Sequence, residues 1–137
     1  MTDEAGIKKV LEYEKANGRG GLEMPHGTEG YDIKSYIYDG EKETFDRFIE
    51  VKSLRGSWGE AGVSLSKAQF KMAWKEGDKY WLYIVERAND ASAQVYPIRN
   101  PARRATHYFF ALLRRTRGIR ACSAQALSGR AWDESPV

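Results

Sequence analysis

Residues 48–53 read Phe48-Ile49-Glu50-Val51-Lys52-Ser53, an apolar, β-branched run carrying an acid and a base two positions apart. Side chains alternate across a strand with a period of two, so Glu50 and Lys52 share one face while Ile49 and Val51 share the other. The solvated side of a half-buried strand gives the same alternation, so Glu-x-Lys by itself decides only that the segment is a strand. Asp32 adds a second acid within the aromatic, β-branched segment 31–38, Tyr-Asp-Ile-Lys-Ser-Tyr-Ile-Tyr. Asp39-Gly40 is a hairpin turn signal, which makes strands at 31–38 and 44–53 antiparallel neighbours. Two carboxylates on adjoining strands can hold a hard divalent ion, with a lysine beside a phosphate oxygen. Such a set suits phosphodiester hydrolysis.

Working outward, Ile7, Val10, Leu11 and Glu14 fall at helical spacing within residues 4–16, and Gly18 supplies a stop. Residues 53–62, rich in Gly and Ser, read as a loop leaving the strand of Glu50, and Trp58 on that loop is the aromatic best placed to stack on DNA. A short strand at 62–65 leads to a second helix, capped by Ser66 with Gln69 reaching back, whose stripe is Phe70, Ala73 and Trp74 until Gly77 ends it. Residues 80–86 form the most apolar strand and are expected at the centre of the sheet, with a further strand at 94–99 and a basic amphipathic helix over 104–116. Trp74, Trp81 and Tyr80 are expected to fill the core. The order predicts an α/β or α+β fold, a mixed central sheet with helices on both sides.

With 137 residues, 42% of them hydrophobic and 12% aromatic, the chain can bury a core of its own. No apolar run approaches the roughly 20 residues that span a bilayer, and the acidic start Met1-Thr2-Asp3-Glu4 lacks a signal core. Cys122 is the single cysteine, so no internal disulfide forms and a reducing, cytoplasmic setting is expected. The net charge of +3 is uneven: through Pro101 there are 15 Lys and Arg against 17 Asp and Glu, and beyond it 7 against 2. All bases after Lys79 are arginines. A boundary is therefore expected near Pro101, dividing a domain at 1–101 from an arginine-rich extension at 102–137, a helix followed by a flexible tail. Arg114, Arg115 and Arg117 suit phosphate contacts; an ordinary solvated helix accounts for them as well, and Tyr108, Phe109, Leu112 and Leu113 would suit a homodimer interface.

Other chemistries find little support. His26 and His107 are distant and have no cysteine pairs beside them, which argues against structural zinc. His26, in Met24-Pro25-His26-Gly27, lies just ahead of the strand of Asp32, where it could touch substrate, but reads first as a turn residue. The glycines at 18, 20 and 21 lack the Gly-Lys-Ser/Thr of a phosphate loop.

Gly30-Tyr31-Asp32-Ile33-Lys34-Ser35 followed by Arg47-Phe48-Ile49-Glu50-Val51-Lys52 resembles the NO VEIN C-terminal domain family, a branch of the PD-(D/E)xK nuclease-like superfamily. Tyr13-Glu14 and Gly18-Arg19 upstream, Val63-Ser64-Leu65-Ser66 with Gln69 and Ala73, the strand 78–85, and Asn100-Pro101 extend the likeness in order. It covers residues from about 4 to Pro101.

The resemblance implies a restriction-endonuclease-like core. It implies that Asp32 and Glu50 bind Mg²⁺ or Mn²⁺ together with the carbonyl of Val51, and that Lys52 orients the attacking water and offsets charge on the phosphate. It implies that Glu14 joins them from the first helix, while Gln69, which in related nucleases can approach the scissile site, is explained fully by the helix cap. Ser53 stands where a glycine is expected after the lysine. The expected function is a metal-dependent DNA endonuclease, a Mg-dependent phosphodiester hydrolase of restriction or defence type. The rival is a non-catalytic nuclease-fold module that binds DNA or a partner protein, such as an ATPase or methyltransferase, within a larger complex.

Overall fold

In the computed structural model, which describes residues 3–58 and 63–104, the first helix is set by its ends. Asp3 accepts the amide of Gly6 at 3.1 Å and Asn17 closes the last turn, giving α1 at Glu4–Ala16. Gly18 then takes φ +78, a backbone region that favours glycine. The chain continues through β1 (Gly20–Glu23), β2 (Ile33–Tyr38) and β3 (Glu43–Ser53). Between β2 and β3 the Asp39 carboxylate accepts the amides of Glu41 and Lys42 at 3.0 Å each, and Gly40 has φ +98. Asx chemistry followed by a glycine thus produces the expected hairpin.

Ser66 and Gln69 form a reciprocal capping box at the start of α2 (Lys67–Glu76), and Gly77 ends it with φ +59. A 3-10 turn (Gly77–Lys79) leads to β4 (Tyr80–Glu86), then β5 (Gln94–Arg99) and a short α3 (Pro101–Arg104). The five strands lie in the order β1-β2-β3-β4-β5, antiparallel except for β3 beside β4. That parallel pair requires a crossover, and α2 lies on it. The fold is α+β, a mixed sheet with flanking helices.

Alternation along β3 and β4 separates two packed layers. Ile33, Ile49, Val51, Tyr83 and Val85 meet Ile7 and Val10 of α1. Leu82, Ile84 and Ile98 pack with Trp58 and Leu65 on the other side, where Tyr80 also meets Ala73 and Ala102. Each fully buried aliphatic contributes about 1.5–3 kcal/mol of transfer free energy.

Four expectations change. The sequence reading missed β1 because glycine is a poor strand former; here Gly20 lies under the Tyr36 ring, which a Cβ would overlap. Residues 63–65 are not a strand, since Leu65 spends its apolar side chain on the core in a connection. Trp74, expected in the core, is 65% exposed, while Trp58, expected to stack on DNA from an open loop, is only 8% exposed. Of the helix expected over 104–116 only Arg104 lies among the described residues, as do Arg103 and the buried Pro101 and Ala102 before it.

Candidate active site

The hairpin and the loop before β2 bring Asp32 to β3. The Asp32 amide donates to the Ile49 carbonyl at 2.8 Å, and its Oδ2 accepts the amide of Val51 at 2.8 Å. Tyr80 fixes the approach from below, its hydroxyl donating to the Gly30 carbonyl. Burial, then the charges of Glu50 and Asp32, push that phenol above its usual range. Asp32, Glu50 and Val51 consequently line one cleft of about 260 Å³ with Glu23, His26 and Tyr31.

Glu50 is nearly buried, and its carboxyl is pushed up from 4.5 to about 8, first by burial and then by the charge of Asp32, with Lys52 acting in the opposite direction. On the same strand face the Lys52 ammonium stands 3.7 Å from Glu50 Oε2 and donates to Gln69 Oε1 at 3.0 Å. Gln69 Nε2 donates to Glu50 Oε2 at 2.8 Å, while Gln69 Oε1 also accepts the Ser66 amide at 2.8 Å. The cap expected of Gln69 is present. The same side chain joins the acid to the base, because the first turn of α2 sits over the even face of β3.

Two adjacent carboxylates, one held in a protonation range where its charge is costly, make a set of hard oxygen donors short of positive charge, which is what a divalent cation offsets. Among the described residues no group of three His, Cys, Asp or Glu side chains is arranged to hold a metal. Asp32 and Glu50 are the two neighbouring carboxylates of the cleft, and the bond described for Val51 uses its amide.

Glu14 lies elsewhere. It is fully buried near the C-terminal end of α1, where its carboxylate accepts from Ser35 Oγ at 2.6 Å, Tyr83 hydroxyl at 2.8 Å and Arg19 Nε at 3.2 Å. Arg47 donates to the Tyr83 hydroxyl at 2.6 Å and rests 3.9 Å from the Trp81 ring centre. This network borders a separate cavity of about 360 Å³ on the α1 side of the sheet. The structure does not place Glu14 in the cleft of Asp32 and Glu50; from the start of α1, the N-cap Asp3 and Ile7 line it.

Trp58, expected to contact DNA, is nearly buried. Its amide donates to Glu86, and its Nε1 is buried without a hydrogen-bond partner among the described residues. Ser53 Oγ is also buried without a partner there and stands where a Cβ at Gly6 would lie. The serine in place of the expected glycine is accommodated by a glycine on α1. Arg114, Arg115 and Arg117 lie outside the described residues. Sequence reasoning missed Glu23, since β1 itself was missed, and gave His26 a turn with substrate contact as the alternative; the turn is real, with the Thr28 amide donating back to the Pro25 carbonyl at 3.2 Å, and it borders the cleft.

No helix among the described residues is long and apolar enough to cross a membrane. A family model described as "Protein NO VEIN, C-terminal" matches residues 2–98. No curated protein and no solved structure matches the chain.

Proposed function

The chain belongs to the NO VEIN C-terminal family, and from that premise we propose that it is a metal-dependent DNA endonuclease of the PD-(D/E)xK type, hydrolysing phosphodiester bonds at the cleft of Asp32 and Glu50. The observation that carries the reading is a nearly buried Glu50 beside Asp32 at an open cleft, with the Lys52 ammonium 3.7 Å away. Asp32 and Glu50 would hold Mg²⁺ or Mn²⁺, with the Val51 carbonyl as the further protein oxygen. Such an ion supplies Lewis acidity to the phosphate and a nucleophile at neutral pH.

The remaining work falls to the chain. Lys52 orients the water that attacks phosphorus and offsets the charge that grows on the phosphate oxygens. Gln69 holds Lys52 in place through its Oε1 and steadies Glu50 through its Nε2. The Val51 amide fixes the Asp32 carboxylate, so that its rotamer is set before any ligand arrives. The restriction or defence setting rests on the resemblance alone.

Plasmid cleavage with and without Mg²⁺ or Mn²⁺ tests the reading. Lys52→Ala is expected to abolish cleavage while DNA affinity stays within about threefold, and Asp32→Ala to lose both cleavage and metal binding by calorimetry. Unchanged nicking by either variant removes that residue from the mechanism. Failure of the wild-type chain to cleave with any divalent ion turns the assignment toward a non-cleaving module that binds DNA or a partner protein.

A further inference from the structure

The α2 side of the sheet is packed only over its inner strands. Its core clusters reach outward as far as Tyr31 and Phe48, which meet Tyr80, Ala73 and Ala102. Beyond Phe48 on the same face lie Lys34, Tyr36, Phe45 and Leu22: Leu22 pairs with Lys34 and Lys34 with Phe48, and a register shift between Ser35 and Tyr36 pairs Tyr36 with Phe45, returning Phe45 to this face. None of these four belongs to a core cluster among the described residues. Tyr36 and Phe45 rings stand 5.0 Å apart, and Lys34 Nζ lies 5.0 Å from the Phe45 ring centre. Leu22 is 51%, Phe45 38% and Tyr38 63% exposed. An aromatic and aliphatic face of this kind favours an occupant.

Its surroundings name the occupant's chemistry. Toward the hairpin tip the face becomes acidic, with Glu43 opposite Tyr38 and Asp39 and Glu41 in the turn against Lys42. Such a rim repels phosphate and suits a segment that is apolar first and basic after. The chain carries one: Tyr108-Phe109-Phe110-Ala111-Leu112-Leu113 is followed by Arg114-Arg115-Thr116-Arg117.

The described chain ends at the edge of this face. Ala102 of α3 packs on Tyr80, Tyr80 is in register with Phe48, and Phe48 with Lys34. Three strands in a row span roughly 10 Å, and Lys34 to the turn at Asp39 adds roughly 17 Å along β2. A few residues after Arg104 cover the first distance, and the stretch to Arg114 is long enough for the second. We propose that residues 105–117 cover the outer α2-side face of β1, β2 and β3 in the same chain, the apolar run over Leu22, Tyr36 and Phe45 and the arginines against Asp39, Glu41 and Glu43. The inference does not depend on nuclease activity.

A photoreactive benzophenone side chain at position 45 of the full-length protein, followed by digestion and mass spectrometry, tests it. Cross-links to residues 105–117 at monomer mass are expected, and 0.5 M salt or the charge reversals Glu41→Lys with Glu43→Lys are expected to reduce them about fivefold by screening or repelling the arginines. In a chain without the photoprobe, the same reversals should speed trypsin cleavage after Arg114, Arg115 and Arg117 about fivefold through greater opening, leaving cleavage after Arg130 unchanged. Cross-links found only at dimer mass would assign the face to a second copy and overturn the proposal. No cross-link to the segment, or equal trypsin rates with and without the reversals, would also overturn it.

Discussion

Glu14 and Glu50 are both buried carboxylates, one on α1 against the sheet and the other on β3. Glu14 is surrounded by donors: Ser35, Tyr83 and Arg19 all bond to it, and Arg47 stands 3.9 Å away. Glu50 receives one amide from Gln69, faces the like charge of Asp32, and has a lysine only at ion-pair distance. A buried acid whose lone pairs are met by its own fold is part of the scaffold. One left beside a second acid at an open cleft keeps capacity for a cation, and strained electrostatics of that kind cluster where ligands bind. The difference separates the part of the molecule that holds the fold from the part that the family resemblance assigns to chemistry.

The largest expected effect breaks the comparison from the scaffold side. Glu14→Ala leaves Arg19, Tyr83 and Ser35 without their common acceptor, so urea unfolding should show a loss of about 3–5 kcal/mol, the scale for removing one partner of a buried charged network. The milder Glu14→Gln should retain the metal affinity proposed for the cleft in its folded fraction. A well-folded Glu14→Gln chain that no longer binds metal would place Glu14 in the site after all.

Next comes the pH dependence of Glu50. Burial and the charge of Asp32 push its carboxyl up from the ordinary 4.5 to about 8, so the folded state holds the proton more tightly. The contribution is fully present below about pH 4.5 and is lost as pH rises toward 8. The loss is on the order of a few kcal/mol. Chemical denaturation across pH 4–9 should show this decline in the wild type and a flatter profile in Glu50→Gln. Added Mg²⁺ should restore stability near pH 8 only in the wild type. Equal slopes in the two proteins would remove the electrostatic contrast with Glu14.

Gln69 offers a smaller and sharper effect, since one side chain serves both fold and cleft. Gln69→Ala should lower stability by about 1 kcal/mol through the lost cap. Its DNA cleavage should fall about tenfold, the scale of one lost positioning contact of about 1.4 kcal/mol. Comparison with Ser66→Ala divides the two roles: that variant loses the cap alone and should keep its cleavage rate. A Ser66→Ala chain as impaired in cleavage as Gln69→Ala would reduce Gln69 to a helix cap.

The sequence by itself determined what depends on neighbours along the chain. The spacing of Ile7, Val10 and Glu14, the Asp39-Gly40 turn, the Ser66–Gln69 box, the stop at Gly77 and the shared face of Glu50 and Lys52 are all set within a few residues, by caps, turn chemistry and side-chain period. That Asp32 and Glu50 come from adjoining strands was also legible; the register that brings them together is set by the shift between Ser35 and Tyr36, which the hairpin turn does not dictate. Tertiary structure alone decided which acid each layer would enclose. It placed Glu14 among Ser35, Arg47 and Tyr83, residues far apart in sequence, and gave Glu50 an environment in which burial raises its carboxyl. It exchanged the expected places of Trp58 and Trp74 and turned Gly20-Gly21 into an edge strand through the close approach of Tyr36. Burial, desolvation and contact sum over several elements at once, so no local window of sequence contains them.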